Sequence, residues 1–135
     1  MDFTLLDKYN VPAPRYTSYP TVPYWQEETA PDEKTWRQHV FSACKQNREL
    51  SLYVHLPYCE SLCTYCGCNK RITKNHQVEE PYLDSVLHEW KLYLGMFPER
   101  PVLRELHLGG GTPTFFSPAN LERLVPGILQ HVDLP

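Results

Sequence analysis

The chain has 135 residues, within the size of one domain, and its Lys and Arg total 13 against 16 Asp and Glu, a formal net charge of -3. No basic stripe stands out, which argues against a nucleic-acid partner. No apolar run approaches the roughly 18 residues that would suggest a membrane span.

The opening Met1-Asp2-Phe3-Thr4-Leu5-Leu6-Asp7-Lys8 lacks the basic and apolar regions of a secretory signal. Together with an odd count of 5 cysteines, this favours reduced thiols and a soluble, cytoplasmic protein. Proline is the outlier, with 13 residues, about twice the usual share of roughly 5%. Pro12, Pro14, Pro20, Pro23 and Pro31 mark residues 1–31 as an irregular arm. Composition alone reads that arm as a polyproline-like leader. Tyr9, Tyr16, Tyr19, Tyr24 and Trp25 argue instead for a segment that packs on something.

Residues 32–47 read as an amphipathic helix with the stripe Trp36, Val40, Phe41 and Cys44 and with Asp32 as a cap. Cys44 on that stripe reads as a buried thiol rather than a ligand. Ser51 to Leu56 reads as a strand with Leu52, Val54 and Leu56 on one face and Tyr53 and His55 on the other. Pro81 to Met96 is the clearest helix, carrying Leu83, Val86, Leu87, Trp90 and Leu94 on one stripe. Val102 to Leu108 reads as a second strand, with Leu106 and Leu108 opposed to Glu105 and His107.

A last helix starts at Ser117-Pro118, with a kink or premature stop expected at Pro126-Gly127. Two strands joined by a helical crossover must be parallel. The fold class is therefore α/β: an arm and a helix over 1–48, then the first two β-α units of an incomplete (β/α) barrel over 49–135. Two strands leave bare edges, and the chain stops where a third strand is expected. The reading expects the beginning of a larger protein that is inactive alone.

The chemistry sits after the first strand. Cys59, Cys63 and Cys66 are spaced C-x3-C-x2-C, and Cys68 follows closely. So tight a cluster on one loop makes a poor disulfide framework and suits a metal centre with soft thiolate ligands. Three ligands are one short of those a cubane iron–sulfur cluster takes, which leaves one iron open. A zinc knuckle completed by Cys68 or His55 competes with that reading, although zinc sites usually pair two C-x2-C knuckles. The second strand ends in Gly109-Gly110-Gly111-Thr112-Pro113-Thr114, which either is a tight turn or bares main chain to a ligand. The absence of a lysine argues against a phosphate loop.

Cys59-Glu60-Ser61-Leu62-Cys63-Thr64-Tyr65-Cys66 with the downstream Gly-Gly-Gly-Thr-Pro-Thr resembles the radical S-adenosylmethionine superfamily. Tyr53-Val54-His55-Leu56-Pro57-Tyr58, the Cys66-Gly67-Cys68-Asn69-Lys70 ending and the arm Pro14-Arg15-Tyr16-Thr17-Ser18-Tyr19-Pro20-Thr21 resemble one family within it, the oxygen-independent coproporphyrinogen III oxidases. Related heme chaperones share the cysteine triplet but typically lack that ending and that arm.

The resemblance implies that Cys59, Cys63 and Cys66 hold a [4Fe-4S] cluster and that S-adenosyl-L-methionine binds the open iron. Tyr65, Gly110, Gly111, Thr112 and Tyr53 would contact that cofactor. Cys68 would not be a cluster ligand. The implied reaction is oxidative decarboxylation of two propionates of coproporphyrinogen III to vinyl groups in heme synthesis. It would need an unidentified one-electron donor, and the full-length protein would be a monomer. Arg15 is a candidate for a substrate carboxylate. His55 and His107 face inward on this reading, each as a satisfied buried histidine. A heme chaperone and a small zinc-binding interaction module are the alternatives.

Overall fold

Parallel strands need a crossover between them, and here a helix supplies it. A computed structural model describes residues 3–10 and 32–135. Its elements are α1 (Phe3–Tyr9), α2 (Glu33–Gln46), β1 (Glu49–Leu56), β2 (Tyr58–Cys59), β3 (Arg71–Ile72), α3 (Glu79–Leu94), β4 (Val102–Gly110) and α4 (Pro118–Leu129). Single 3-10 turns at His76–Val78 and Pro113–Phe115 lead into α3 and α4.

The chain forms two compact units, Met1–Asp32 and Glu33–Pro135. In the first, α1 is a helix where the composition reading expects only an irregular arm. Its sequence precedes the first proline at residue 12, so nothing there interrupts helical hydrogen bonding. The proline-rich stretch 12–21 with Arg15 lies outside the described residues, as do Tyr24 and Trp25.

In the second unit β1 and β4 pair in parallel, as expected, from Glu49 opposite Val102 to Leu56 opposite Gly110. The register slips between Leu50 and Ser51: Leu50 faces Leu103, but Ser51 faces Glu105. Arg104 is therefore an extra residue, a bulge that changes which side chains of β4 point inward. Leu103 before it and Leu106 and Leu108 after it all join the core, while Glu105 and His107 stay exposed. Arg104 itself turns out to an ion pair with Glu49.

One core cluster draws Val54 and Leu56 from β1, Leu103 from β4, Leu83 and Trp90 from α3, and Leu124 and Ile128 from α4. The opposite sheet face carries Ser51, Tyr53 and His55 beside Glu105 and His107. After α4 the chain returns to β4, where Asp133 forms a parallel bridge with Val102. Arg100 secures this return by donating to the carbonyls of Gln130 and Val132 at 2.8 and 2.9 Å and pairing with Asp133 at 3.0 Å.

Two helix boundaries differ from the periodicity reading. α3 begins at Glu79, ahead of Pro81, because the first turn of a helix has no use for proline's missing N–H. α4 is capped by Ser117, whose side chain accepts from the Asn120 N–H, but it runs through Pro126 to Leu129 instead of stopping. An interior proline costs about 3 kcal/mol. Burial of Leu124 and Ile128, each worth about 1.5–3 kcal/mol, offsets it. Gly127 assists, since a Cβ there would come within 3.0 Å of Leu87 on α3.

The helix starts are tied together by one buried carboxylate. Glu79, only 2% exposed, accepts at Oε2 from the Ser117 N–H at 2.8 Å and from Asn120 Nδ2 at 2.7 Å. Burial alone would push its carboxyl up. The donors of Asn120, Ser117 and His76 outweigh that and hold it below the usual glutamate range. A lowered folded value adds stability above the unfolded pKa, and that stability is lost as pH falls through the folded value. Glu79→Gln should therefore lower stability near neutral pH by about 1–3 kcal/mol and flatten the acid side of the stability curve. Urea unfolding followed by circular dichroism across acid to neutral pH measures both effects.

Candidate cofactor site

Pro57 ends β1 and turns the chain into the cysteine loop. The two-residue strands β2 and β3 then close the loop's neck in parallel. The Arg71 N–H reaches the Pro57 carbonyl at 2.8 Å, and the Thr73 N–H reaches the Cys59 carbonyl at 2.9 Å. The glycine strand end grips the same neck: Gly111 N–H donates to Leu56 at 2.7 Å and Thr112 N–H donates to Tyr58 at 3.0 Å. The Thr112 hydroxyl donates to Cys59 Sγ at 3.4 Å. The cysteine loop and the glycine strand end thus meet at the C-terminal edge of the sheet, where α/β proteins bind ligands.

Beyond the neck the loop is open. Cys63 and Cys68 are exposed, Cys59 and Cys66 are half-buried, and all are free thiols. A turn from the Cys66 N–H to the Cys63 carbonyl, at 3.1 Å, orders the second pair of candidate ligands. Among the described residues, no three His, Cys, Asp or Glu side chains converge as a metal site. The donor set nonetheless fits an iron–sulfur cluster: three free, accessible thiols on one loop, one of them already accepting a hydroxyl proton. Tyr65 stands on the loop at 86% exposure.

His55 links loop to sheet. Its Nε2 lies 2.7 Å from the Asn69 carbonyl, which can only accept, so Nε2 carries the proton. In the neutral ring Nδ1 then accepts from the Tyr53 hydroxyl at 3.1 Å. Both nitrogens are occupied, which disfavours His55 as a fourth zinc ligand. Tyr53, 54% exposed, also stacks on His107 with ring centroids 5.8 Å apart. Behind them, the Tyr82 hydroxyl donates to the His55 carbonyl at 2.6 Å, and burial pushes that phenol up.

The glycines have neighbours inside the chain that sequence reasoning missed. A Cβ on Gly109 would lie 2.9 Å from the Tyr53 ring, and one on Gly110 would lie 2.5 Å from the His55 ring. Gly110 also adopts a φ of 109°, open to glycine and costly for other residues. A Cβ on Gly111 would strike main chain, 2.6 Å from the Tyr58 carbonyl oxygen.

Periodicity also gives no sign of His76. Its Nδ1 lies 2.7 Å from Glu79 Oε1 and its Nε2 lies 3.5 Å from Glu60 on the cysteine loop. The hydrogen bond to Glu79, joined by the nearby charge of Glu79 and by Glu60, holds its pKa above the ordinary histidine value against the opposing effect of burial. A glutamate at a helix start ordinarily reads as a solvated dipole partner, so only the tertiary contacts reveal that Glu79 is buried and that His76 reaches Glu60.

Comparison with known proteins places this geometry in a class. No family model matches the chain. The fold matches the solved structure "Coproporphyrinogen III oxidase (HemN) from Escherichia coli is a Radical SAM enzyme" with a TM-score of 0.78 and 36% identity, over 98% of this chain and 28% of that one. The described fold is thus of the radical S-adenosylmethionine type.

Curated relatives narrow the class. An oxygen-independent coproporphyrinogen III oxidase of Mannheimia haemolytica is 37% identical over 98% of this chain and 88% of its own length. One from Pseudomonas aeruginosa is 38% identical over 98% of this chain, and one from Escherichia coli is 43% identical over 92%. The chain belongs to the oxygen-independent coproporphyrinogen III oxidase family. It spans 28% of the Pseudomonas relative and 26% of the Escherichia coli relative.

The glycine contacts make a graded prediction. Gly111→Ala should destabilise the chain by about 2 kcal/mol or more, because the clash is with main chain that cannot swing aside. Gly109→Ala should cost less, since the Tyr53 ring can move. Thermal unfolding of both variants tests the order.

Proposed function

We propose that the chain carries the cofactor-holding part of an oxygen-independent coproporphyrinogen III oxidase. On this reading residues 49–135 belong to the catalytic core and residues 1–48 form a preceding arm and helix. The observation that supports it best is the hydrogen-bonded junction of cysteine loop and glycine strand end, with the Thr112 hydroxyl on Cys59 Sγ.

Cys59, Cys63 and Cys66 would hold a [4Fe-4S] cluster, with S-adenosyl-L-methionine beside it. When bound, that pair would supply one-electron, radical chemistry for hydrogen removal from a substrate propionate. The protein's own part is holding and shielding. Thr112 donates to a ligand sulfur, which tunes a cluster's potential. The main chain at Gly110 and Gly111 would meet the cofactor through groups other than the Gly111 N–H, which the Leu56 carbonyl already holds. Tyr65 on the loop and Tyr53 on the polar sheet face supply aromatic walls. Coproporphyrinogen III is the substrate on this reading, and a one-electron donor is a required partner. Among the described residues no helix is long and apolar enough to cross a membrane.

Anaerobic reconstitution with iron and sulfide tests the metal assignment. The chain should take up about four irons and turn brown, as a cubane cluster requires. Adding S-adenosylmethionine to the reduced sample should change its electron paramagnetic resonance spectrum. Cys59→Ser, Cys63→Ser and Cys66→Ser should each abolish the cluster, while Cys68→Ser should retain it. A chain that takes up zinc alone and shows no chromophore would overturn the proposal.

A further inference from the structure

Glu79 divides its two oxygens between two tasks. Oε2 serves the fold, through Ser117 and Asn120. Oε1 faces away from that pair to His76 Nδ1 at 2.7 Å. The His76 ring lies on Phe115, nearly parallel at 14° with centroids 4.4 Å apart, and Phe115 is itself buried. An imidazole held at one nitrogen and along one face has a fixed direction for its other nitrogen. That nitrogen, Nε2, points to Glu60 Oε1 at 3.5 Å.

Glu60 lies between Cys59 and Cys63, in a stretch with no packing of its own. Every residue from 60 to 65 is exposed, and Leu62 reaches 62%. We propose that Glu79 and His76 form a positioning pair for the cysteine loop, which through Glu60 orders the span from Cys59 to Cys63 before metal arrives. This rests on the reading of Cys59, Cys63 and Cys66 as ligands. An exposed ion pair usually gains little, because two side chains must be ordered to make it. Here His76 is ordered already, so only Glu60 bears that cost. A loop whose span is already restricted loses less entropy when it closes on a metal centre. On this proposal His76 and Glu79 act through Glu60.

Hydrogen exchange of the metal-free, reduced chain, followed by mass spectrometry, tests the pair directly. Glu60→Gln alters an exposed side chain and spares the fold. His76→Phe keeps a ring on Phe115 and leaves Glu79 Oε2 engaged. Each should speed exchange of amides 60–66 by about two- to fivefold, the range an exposed ion pair supports, with exchange in β1 unchanged in both variants and exchange in α3 unchanged in Glu60→Gln. The double variant should be no faster than either single one, and His76→Gln, which retains a donor, should restore part of the protection.

After reconstitution, both single variants should lose iron to a chelator several-fold faster than the parent chain. Unchanged exchange at 60–66 in Glu60→Gln, or strictly additive effects in the double variant, would overturn the proposal. If the parent chain takes up no iron, the cluster reading fails by itself, and the exchange experiment still decides whether the pair orders the loop.

Discussion

The parallel register of β1 and β4 governs everything else in the described fold. It sets Leu56 against Gly110 and His55 against Gly109, so the cysteine loop leaves one strand where the glycine run leaves the other. The bulge at Arg104 is what makes that register affordable to the core. Without the extra residue, Glu105 instead of Leu106 would stand opposite Leu52, and a charge would enter the apolar layer beneath α3 and α4. A one-residue slip moves a whole set of side chains to the other face, so burial on one side specifies the pairing strongly.

From that register follows a division of the sheet into two chemistries. One face is closed by leucine, tryptophan and isoleucine from the helices. The other presents tyrosine, histidine and glutamate joined by hydrogen bonds and ring stacking. The glycines stand where the two meet. Their lack of side chains serves the chain itself, because Tyr53, His55 and the turn at Pro57 occupy the space that β-carbons would fill.

The cysteine loop is held firmly at its base and sparsely beyond it. Cys59 sits among main-chain hydrogen bonds from β3 and from Gly111 and Thr112, whereas Cys63 rides on an exposed turn. Such an arrangement suits ligands that converge when a metal centre forms, with one anchored thiol as the fixed point. Family membership rests on identity along nearly the whole chain, and the relative from Mannheimia haemolytica is matched over most of its own length.

Much of this was legible in the residues alone. Period-two alternation identifies both strands and their faces, the 3.6-residue stripes identify three helices, and cysteine spacing marks the candidate site, because each signal is local. The α1 helix was missed behind a proline-dominated composition, and of the kink or stop expected at Pro126 the stop does not occur, because local propensity yields to the burial of Leu124 and Ile128. The two-residue strands β2 and β3 carry no period to detect, and Glu60, His76 and Glu79 share no motif. By itself, then, the sequence determined the two longer strands, the three longer helices and which residue types could ligate iron. Only the tertiary structure decided the bulge, the glycine contacts and the links from His76 to Glu60 and from Glu79 to Ser117 and Asn120, since these depend on distances between residues that local pattern cannot relate.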